Sequence, residues 1–460
     1  MGVDVNGSVN ASTDRLTSGT ASGFEVDGGC GKQGKCRAAA AATGQWVKKY
    51  FWEGQHLAEG AAKGTKLSED EPEGDKTFLQ RHRRVIGFVL PGLFFHVLWW
   101  SWMGSQDLFH LFGERSGGQD IPRYYMSITM LFGSMIAGAT SEGGASVAFP
   151  VMTLVFSILP AVARDFSFMI QSVGMTSAAF TILFMRVKIE LHSLIWCTIG
   201  GTAGIIFGLE EVAPQLTPSY SKMYFVVIWF AFAFSLYWLN RNHGRPVFDE
   251  VPDFDRDVIS VLGWQIKWKA LVLLGFGFMG GVFSAMAGSG IDICSFSALT
   301  LLFRVSEKIA TPTSVILMAI NTCVGFAYRE FAMGGVQEDA WGFFAVCVPI
   351  VVIGAPLGSL VGSHFHRLVL AGFVYVTDTA QLVLALIVVK PWLHANDGGK
   401  KDNDDPTHLT LTSGAILVAG AIFFKLMEMA GRKLLDIQEQ RMAEAEGMQL
   451  AKRKVDDEPV

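Results

Sequence analysis

Thr140-Ser141-Glu142-Gly143-Gly144 interrupts an apolar stretch, residues 126–161, and Ala287-Gly288-Ser289-Gly290-Ile291-Asp292 interrupts a second, residues 269–304. Each interruption sets helix-breaking glycines and one carboxylate inside a segment otherwise apolar enough for a bilayer core. Unpaired backbone at that depth is tolerated only where protein or a water-filled cavity covers it. Each stretch is therefore either two short spans or one helix–break–helix hairpin dipping into the membrane, and the sequence leaves both open.

The surroundings place these stretches in a polytopic membrane protein. About twenty apolar residues cross a ~30 Å hydrocarbon core as a helix. Further segments of that length run at roughly 85–103, 166–186, 191–209, 221–239, 309–328, 341–362, 367–389 and 409–430. Only 17% of the 460 residues are charged, against about a quarter in soluble proteins, and the mean hydropathy is +0.35. These values exclude a disordered chain and a pair of soluble domains. A formal net charge of −5 gives no electrostatic footprint for nucleic acid. Six Cys do not make a disulfide framework. Neither Cys30 with Cys36 nor His364 with His366 forms a metal-ligand pattern, so no metal and no cofactor is expected.

Lys and Arg in the short loops set the orientation. His82 stands among Arg81, Arg83 and Arg84 ahead of the first span; Arg186 with Lys188, residues 240–268, Arg304 to Lys308, His364 to Arg367, and Arg432-Lys433 fall on the same side. Glu210-Glu211, Glu330 to Asp339 and residues 396–405 fall on the other. Both termini are expected in the cytosol, because a broken stretch contributes two crossings or none and leaves the parity unchanged. The resulting domain plan is a flexible tail (1–84), an extra first helix (85–103), a first repeat (126–240), a cytosolic linker (241–268), a second repeat (269–390), a last helix (409–430) and a charged tail (431–460). The amino-terminal tail carries an amphipathic run around Trp46 to Trp52, and no cleaved secretory signal is expected there.

The segments downstream of the two breaks are also alike. Gln171-Ser172-Val173-Gly174 answers to Thr313-Ser314-Val315-Ile316, and the ladder Gly200, Gly204, Gly208 answers to Gly354, Gly358, Gly362. Glycines at this spacing let membrane helices approach closely. Each half holds one broken stretch and three full spans, an odd number of crossings, so the second half is expected to be inverted relative to the first. The expected fold is an all-α transmembrane bundle of two inverted-topology repeats, each with a discontinuous or re-entrant helix pair. This is the design of many secondary transporters, with the site near mid-membrane at the broken helices.

On these residues the chain resembles the TauE/SafE family of sulfite exporters, within the 4-toluene sulfonate uptake superfamily. That family pairs a Gly-rich break and a downstream Pro with a later Ser-Pro-Lys-Glu-Ala-x-x-Thr-Ser-like stretch. The first half carries Glu142-Gly143-Gly144-Ala145-Ser146-Val147-Ala148-Phe149-Pro150. The second carries Gly288 to Asp292, then Val305-Ser306-Glu307-Lys308-Ile309-Ala310-Thr311-Pro312-Thr313-Ser314, and Gly354-Ala355-Pro356-Leu357-Gly358 is similar to the family's late helix. The chain departs at Phe296, where the second Pro is expected, and at Arg164-Asp165-Phe166, which replaces the Pro-Lys-Glu-Ala wording. The resemblance covers roughly residues 126–430 and implies a membrane exporter of sulfite or organosulfonates.

The candidate substrate contacts lie at and beside the breaks. Gly143, Gly144 and Gly290 offer backbone N–H groups at half-helix N-termini, which suit an anion. Ser146, Ser172, Ser289, Thr313 and Ser314 offer hydroxyls, and the bland alternative is a bond to their own helix backbone. Gln171 and Asn321 offer amides that alternatively bridge helices. Ionisable side chains at membrane depth are expensive and mark functional sites, so Glu142 and Asp292 are the proton-coupling candidates, with helix capping as the alternative. Asp378, in the middle of its span, is a lesser candidate. The glycine ladders are assigned to helix packing. Expected partners are a small anion, the lipid bilayer and, at most, further copies of the chain. No GxSxG or HExxH pattern supports an enzyme, and an anion channel is the competing reading.

Overall fold

The structure is a computed structural model and describes residues 78–456 except 117–119, 242–247, 249–250, 252–257, 262–263, 366, 394–395, 398–399 and 402–404. The amphipathic run at Trp46 to Trp52, the Cys30 and Cys36 pair and His366 lie outside the described residues, as do the tail residues beyond them at each end. Twelve helices organise the rest: α1 (Arg83–Ser105), α2 (Tyr124–Ala139), α3 (Ala145–Pro150), α4 (Pro160–Phe184), α5 (Leu191–Phe207), α6 (Pro218–Arg241), α7 (Trp268–Ala287), α8 (Ile291–Ser297), α9 (Glu307–Ala327), α10 (Glu338–His364), α11 (Arg367–Val389) and α12 (Pro406–Asp456). Among the described residues nine helices are long and apolar enough to cross a membrane. The only strands there are three short hairpins, such as Val258–Val261 with Trp264–Lys267.

Local chemistry sets the helix ends. Pro160, Pro218 and Pro406 open α4, α6 and α12, where the ring pre-sets the helical φ and the missing N–H is one the first turn leaves unpaired anyway. At the other end α7 stops because Gly288 takes φ +85° and returns its N–H to the Ser284 carbonyl at 2.6 Å, a left-handed cap that a β-carbon would strain. The helix after each break is brief and opens into one π-helical turn, Val151–Val155 after α3 and Ala298–Leu302 after α8.

Both broken stretches double back. Ser127 on α2 donates to the Val346 carbonyl, Gly138 lies against Ala355 and Ala139 against Gly362, so α2 runs alongside α10 in the same direction. On the same α10, Phe166 of α4 meets Phe343 and Ser177 donates to the Val352 carbonyl. Helices α2 and α4 thus run the same way, and the chain must return between them through α3 and its π turn. The second stretch behaves alike around α5. Cys197 donates to Leu273 and Gly208 lies against Val282 and Ala285 of α7, while Thr313 of α9 accepts from the Glu190 N–H and Tyr328 donates to Glu210. Helices α4 and α9 run in opposite directions, because Asp165 meets Arg329, whereas Cys323 donates to the Ser172 carbonyl further along.

The two glycine ladders sit at close contacts between these helices. A methyl group at Gly204 would run into the Phe278 carbonyl, and one at Gly358 into the Met135 carbonyl. Backbones that touch leave no room for side-chain rearrangement. Gly204→Leu is therefore expected to push α5 off α7 and to destabilise the detergent-solubilised protein by about 1–3 kcal/mol or more, read as a fall in its thermal unfolding temperature. An unchanged unfolding temperature would mean that the contact yields without cost. Outward, α1, α11 and α12 expose large apolar side chains, among them Leu93, Val97, Val376, Ile387, Val418 and Ile422, the inverse of a water-soluble surface.

Candidate functional site

The two breaks meet. Gln171 lies halfway along α4, and its buried amide touches both: Oε1 accepts from the Gly144 N–H at 3.1 Å, and Nε2 donates to the Gly288 carbonyl at 2.7 Å and to Ser167 of its own helix at 3.0 Å. Every bond that amide makes is to backbone. Ser289 closes the junction from the second break, with its hydroxyl 2.8 Å from Asp292 Oδ2 and 3.3 Å from the Glu142 carbonyl oxygen. Met318, halfway along the Glu307–Ala332 span, brings its thioether to 3.9 Å from the Ser289 hydroxyl.

Gly143 forms the floor of this junction. Its φ is +75°, and a β-carbon there would lie 2.5 Å from Met318 Sδ, 2.7 Å from Gln171 Oε1 and 2.8 Å from Asp292 Oδ2. A side chain is thus refused twice, by backbone conformation and by space. Gly290 likewise holds φ +159° against Phe283.

The remaining hydroxyl candidates turn to backbone. Ser146, Ser172, Thr313 and Ser314 donate to the carbonyls of Gly143, Met169, Ile309 and Thr311, at 2.6–2.8 Å. Their protons are committed there, the bland alternative of the sequence reading. Ser289 alone of the hydroxyl candidates bonds across the junction. Asn321 donates to Leu317, and its Oδ1, buried without a hydrogen bond, points at Gly201 of α5. The Asp292 carboxyl, at the start of α8, accepts from the Ser289 hydroxyl through Oδ2, and its Oδ1 is buried without a hydrogen bond.

A local bonding pattern recurs beside the two breaks. Thr153 donates to Phe149, and Thr300, 147 residues on, donates to Phe296. The bonds Phe156 to Val151 and Ile158 to Met152 recur at the same interval as Phe303 to Ala298 and Val305 to Leu299, with Ser157 and Arg304 both left-handed between them. At this interval Ser167 answers to Ser314 and Gln171 to Met318. Ser172 and Ser314 are therefore not equivalent.

Two features escaped the sequence reading or were underweighted by it. Asp165, fully buried, accepts from Arg329 through Nε (3.1 Å) and Nη2 (2.9 Å), from Arg164 Nη2 (2.9 Å) and from the Gln337 N–H (3.1 Å). The Arg164 carbonyl lies against Gly288, so this ion-pair cluster adjoins the second break. The signal available was three ionisable residues at the ends of apolar segments. Asp378, rated below Glu142 and Asp292, has its carboxyl within hydrogen-bonding reach of Glu142. Among the described residues no group of His, Cys, Asp and Glu is arranged to hold a metal ion.

A bundle of apolar spans whose two doubled-back, glycine-broken stretches join through buried polar groups defines an integral membrane protein with the build of a transporter. The family model described as sulfite exporter TauE/SafE matches residues 126–383, more than half of the chain, and the chain belongs to that family. Its members are transporters of sulfite and related sulfur anions, not enzymes. No curated protein and no solved structure matches the chain.

Proposed function

We propose that the protein carries sulfite or an organosulfonate across the bilayer by alternating access at the junction of the two breaks. One observation carries this reading: a single amide, Gln171, joins the breaks halfway along a spanning helix. Residues 126–240 and 269–390 act as inverted repeats. The opposed directions of α4 and α9 and the local pattern that recurs 147 residues on support this. Arg83 and Arg84 at the start of α1, with the later Lys and Arg loops, favour cytosolic termini.

The bound oxyanion takes donors now turned inward, namely the Ser289 hydroxyl, the Gly144 and Gly290 N–H groups and the Gln171 amide. Gly143 leaves room for its approach. Asp292 is the acceptor that the substrate replaces. While ionised it repels an anion, and a proton on it removes the repulsion, which couples anion movement to protons through Asp292 and Glu142.

Purified protein in liposomes loaded with unlabelled sulfite is expected to take up labelled sulfite by saturable counterflow. Methanesulfonate should compete more strongly than acetate. Conductance without counterflow would make the protein a channel, and absence of flux for every oxyanion tested would end both readings.

A further inference from the structure

Asp378 sits in the middle of α11, a helix that belongs to neither broken stretch. It is fully buried, as is Glu142. None of the four oxygens of these two carboxyls receives an N–H or O–H from any other group, yet the two carboxyls lie within hydrogen-bonding reach of each other. Among the described residues, Asp292 of α8 also acts on Glu142, and Glu142 is the charged group that acts on Asp378. Among the described residues no Lys, Arg or His hydrogen-bonds to either carboxyl.

Two carboxyls can bond to one another only through a proton, because an ionised carboxylate is acceptor-only. Two ionised ones in contact, without a cation, would combine like-charge repulsion with the loss of all hydration. A helix cap does not explain the arrangement, since Asp378 stands in the interior of a helix. Nor does an ion pair, since no cation among the described residues bonds to either carboxyl. Asp165 shows the contrast: that buried carboxylate is met by two guanidiniums and one backbone N–H, which is how a carboxylate kept permanently ionised is housed.

We propose that Glu142 and Asp378 form a two-carboxyl proton-binding site, and that Asp378 is the residue through which α11 takes part in coupling. This rests on the transport reading and deepens it. The proton is held between the first break and α11 while the substrate site is occupied. Its release leaves two like charges in contact and drives Glu142, and with it the break, away from α11. Anion and proton then cross together.

The test uses the full chain in liposomes, with labelled sulfite as the probe and four proteins: the unaltered chain, Asp378→Asn, Glu142→Gln and the double variant. Sulfite itself titrates near neutrality, but equally for all four, so differences between proteins are the readout. With one proton moved per anion, a one-unit pH gradient supports about tenfold accumulation at equilibrium. The unaltered chain is expected to reach such accumulation. Asp378→Asn is expected to lose it and to show counterflow that no longer varies with pH, with Glu142→Gln and the double variant giving the same result. Asp378→Glu, which restores a titratable group, should recover the pH dependence.

An Asp378→Asn protein with the accumulation and pH profile of the unaltered chain would overturn the proposal. So would an unaltered chain that shows counterflow but no gradient-driven accumulation. Loss of counterflow in Asp378→Asn that Asp378→Glu does not restore would assign Asp378 to packing and overturn it as well. Absence of counterflow in the unaltered chain would instead sink the transport reading itself.

Discussion

Gln171→Ala is expected to lower sulfite counterflow by about a hundredfold while leaving the protein folded and membrane-inserted. The substitution removes the amide that bonds to both breaks and strands the Gly144 N–H and the Gly288 carbonyl in a buried site, leaving the Ser289 hydroxyl, 3.3 Å from the Glu142 carbonyl oxygen, as a remaining link. Each stranded group costs about 1–3 kcal/mol, and a tenfold change corresponds to about 1.4 kcal/mol. The loss should fall on transport, because long apolar helices hold the bundle while the Gln171 amide, with the longer Ser289 bond, holds the breaks to each other. Gln171→Glu separates the two links. Its carboxylate still accepts from Gly144 but cannot donate to Gly288, so it should recover part of the rate. A Gln171→Ala protein that transports at the unaltered rate would show that the junction needs no bridge.

Arg329→Met is expected to destabilise the protein by about 3–5 kcal/mol, the usual result of removing one partner from a buried ion pair. Arg329 makes two parallel bonds to Asp165 and a third to the Gly335 carbonyl. Without it Asp165 keeps Arg164 and the Gln337 N–H, on a carboxyl no water reaches. Asp165→Asn combined with Arg329→Met should be more stable than Arg329→Met alone, since the stranded charge is then gone. Thermal unfolding of the three variants in detergent reads this directly. A double variant no more stable than the single would place the effect in the packing of the arginine stem.

The sequence and the structure agree most closely where the signal is local. The interruptions Thr140 to Gly144 and Ala287 to Asp292 are the places where α2 and α7 end, because glycine and unpaired polar residues within an apolar run are legible without any partner. The span near residues 166–186 was likewise visible, though α4 begins at Pro160, since proline is compatible with a first turn. The two ladders were visible as spacing, but the helices they press against were not.

The candidate site was legible in part. Gln171, Ser289, Gly143, Gly144 and Asp292 were singled out, and they converge. Ser146, Ser172, Thr313 and Ser314 were singled out for the same hydroxyl and turn instead to backbone carbonyls. A hydroxyl in a helix faces either its own preceding turn or a neighbour, and residue type does not distinguish the two. Asp378 was visible only as a charge in an apolar span. Its meaning depends on Glu142, which is remote in sequence.

Taken alone, the sequence determined that this chain lives in a membrane, where its helices break, and the pattern by which it resembles its family. Those properties follow from hydropathy, span length and glycine spacing, each a sum over neighbouring residues. The tertiary structure decided that the broken stretches double back, that Gln171 ties one break to the other, that a local bonding pattern recurs 147 residues on, and which carboxyls face a cation and which face each other. These depend on how helices rotate and cross. Packing of distant surfaces sets that rotation, and no local stretch of chain records it.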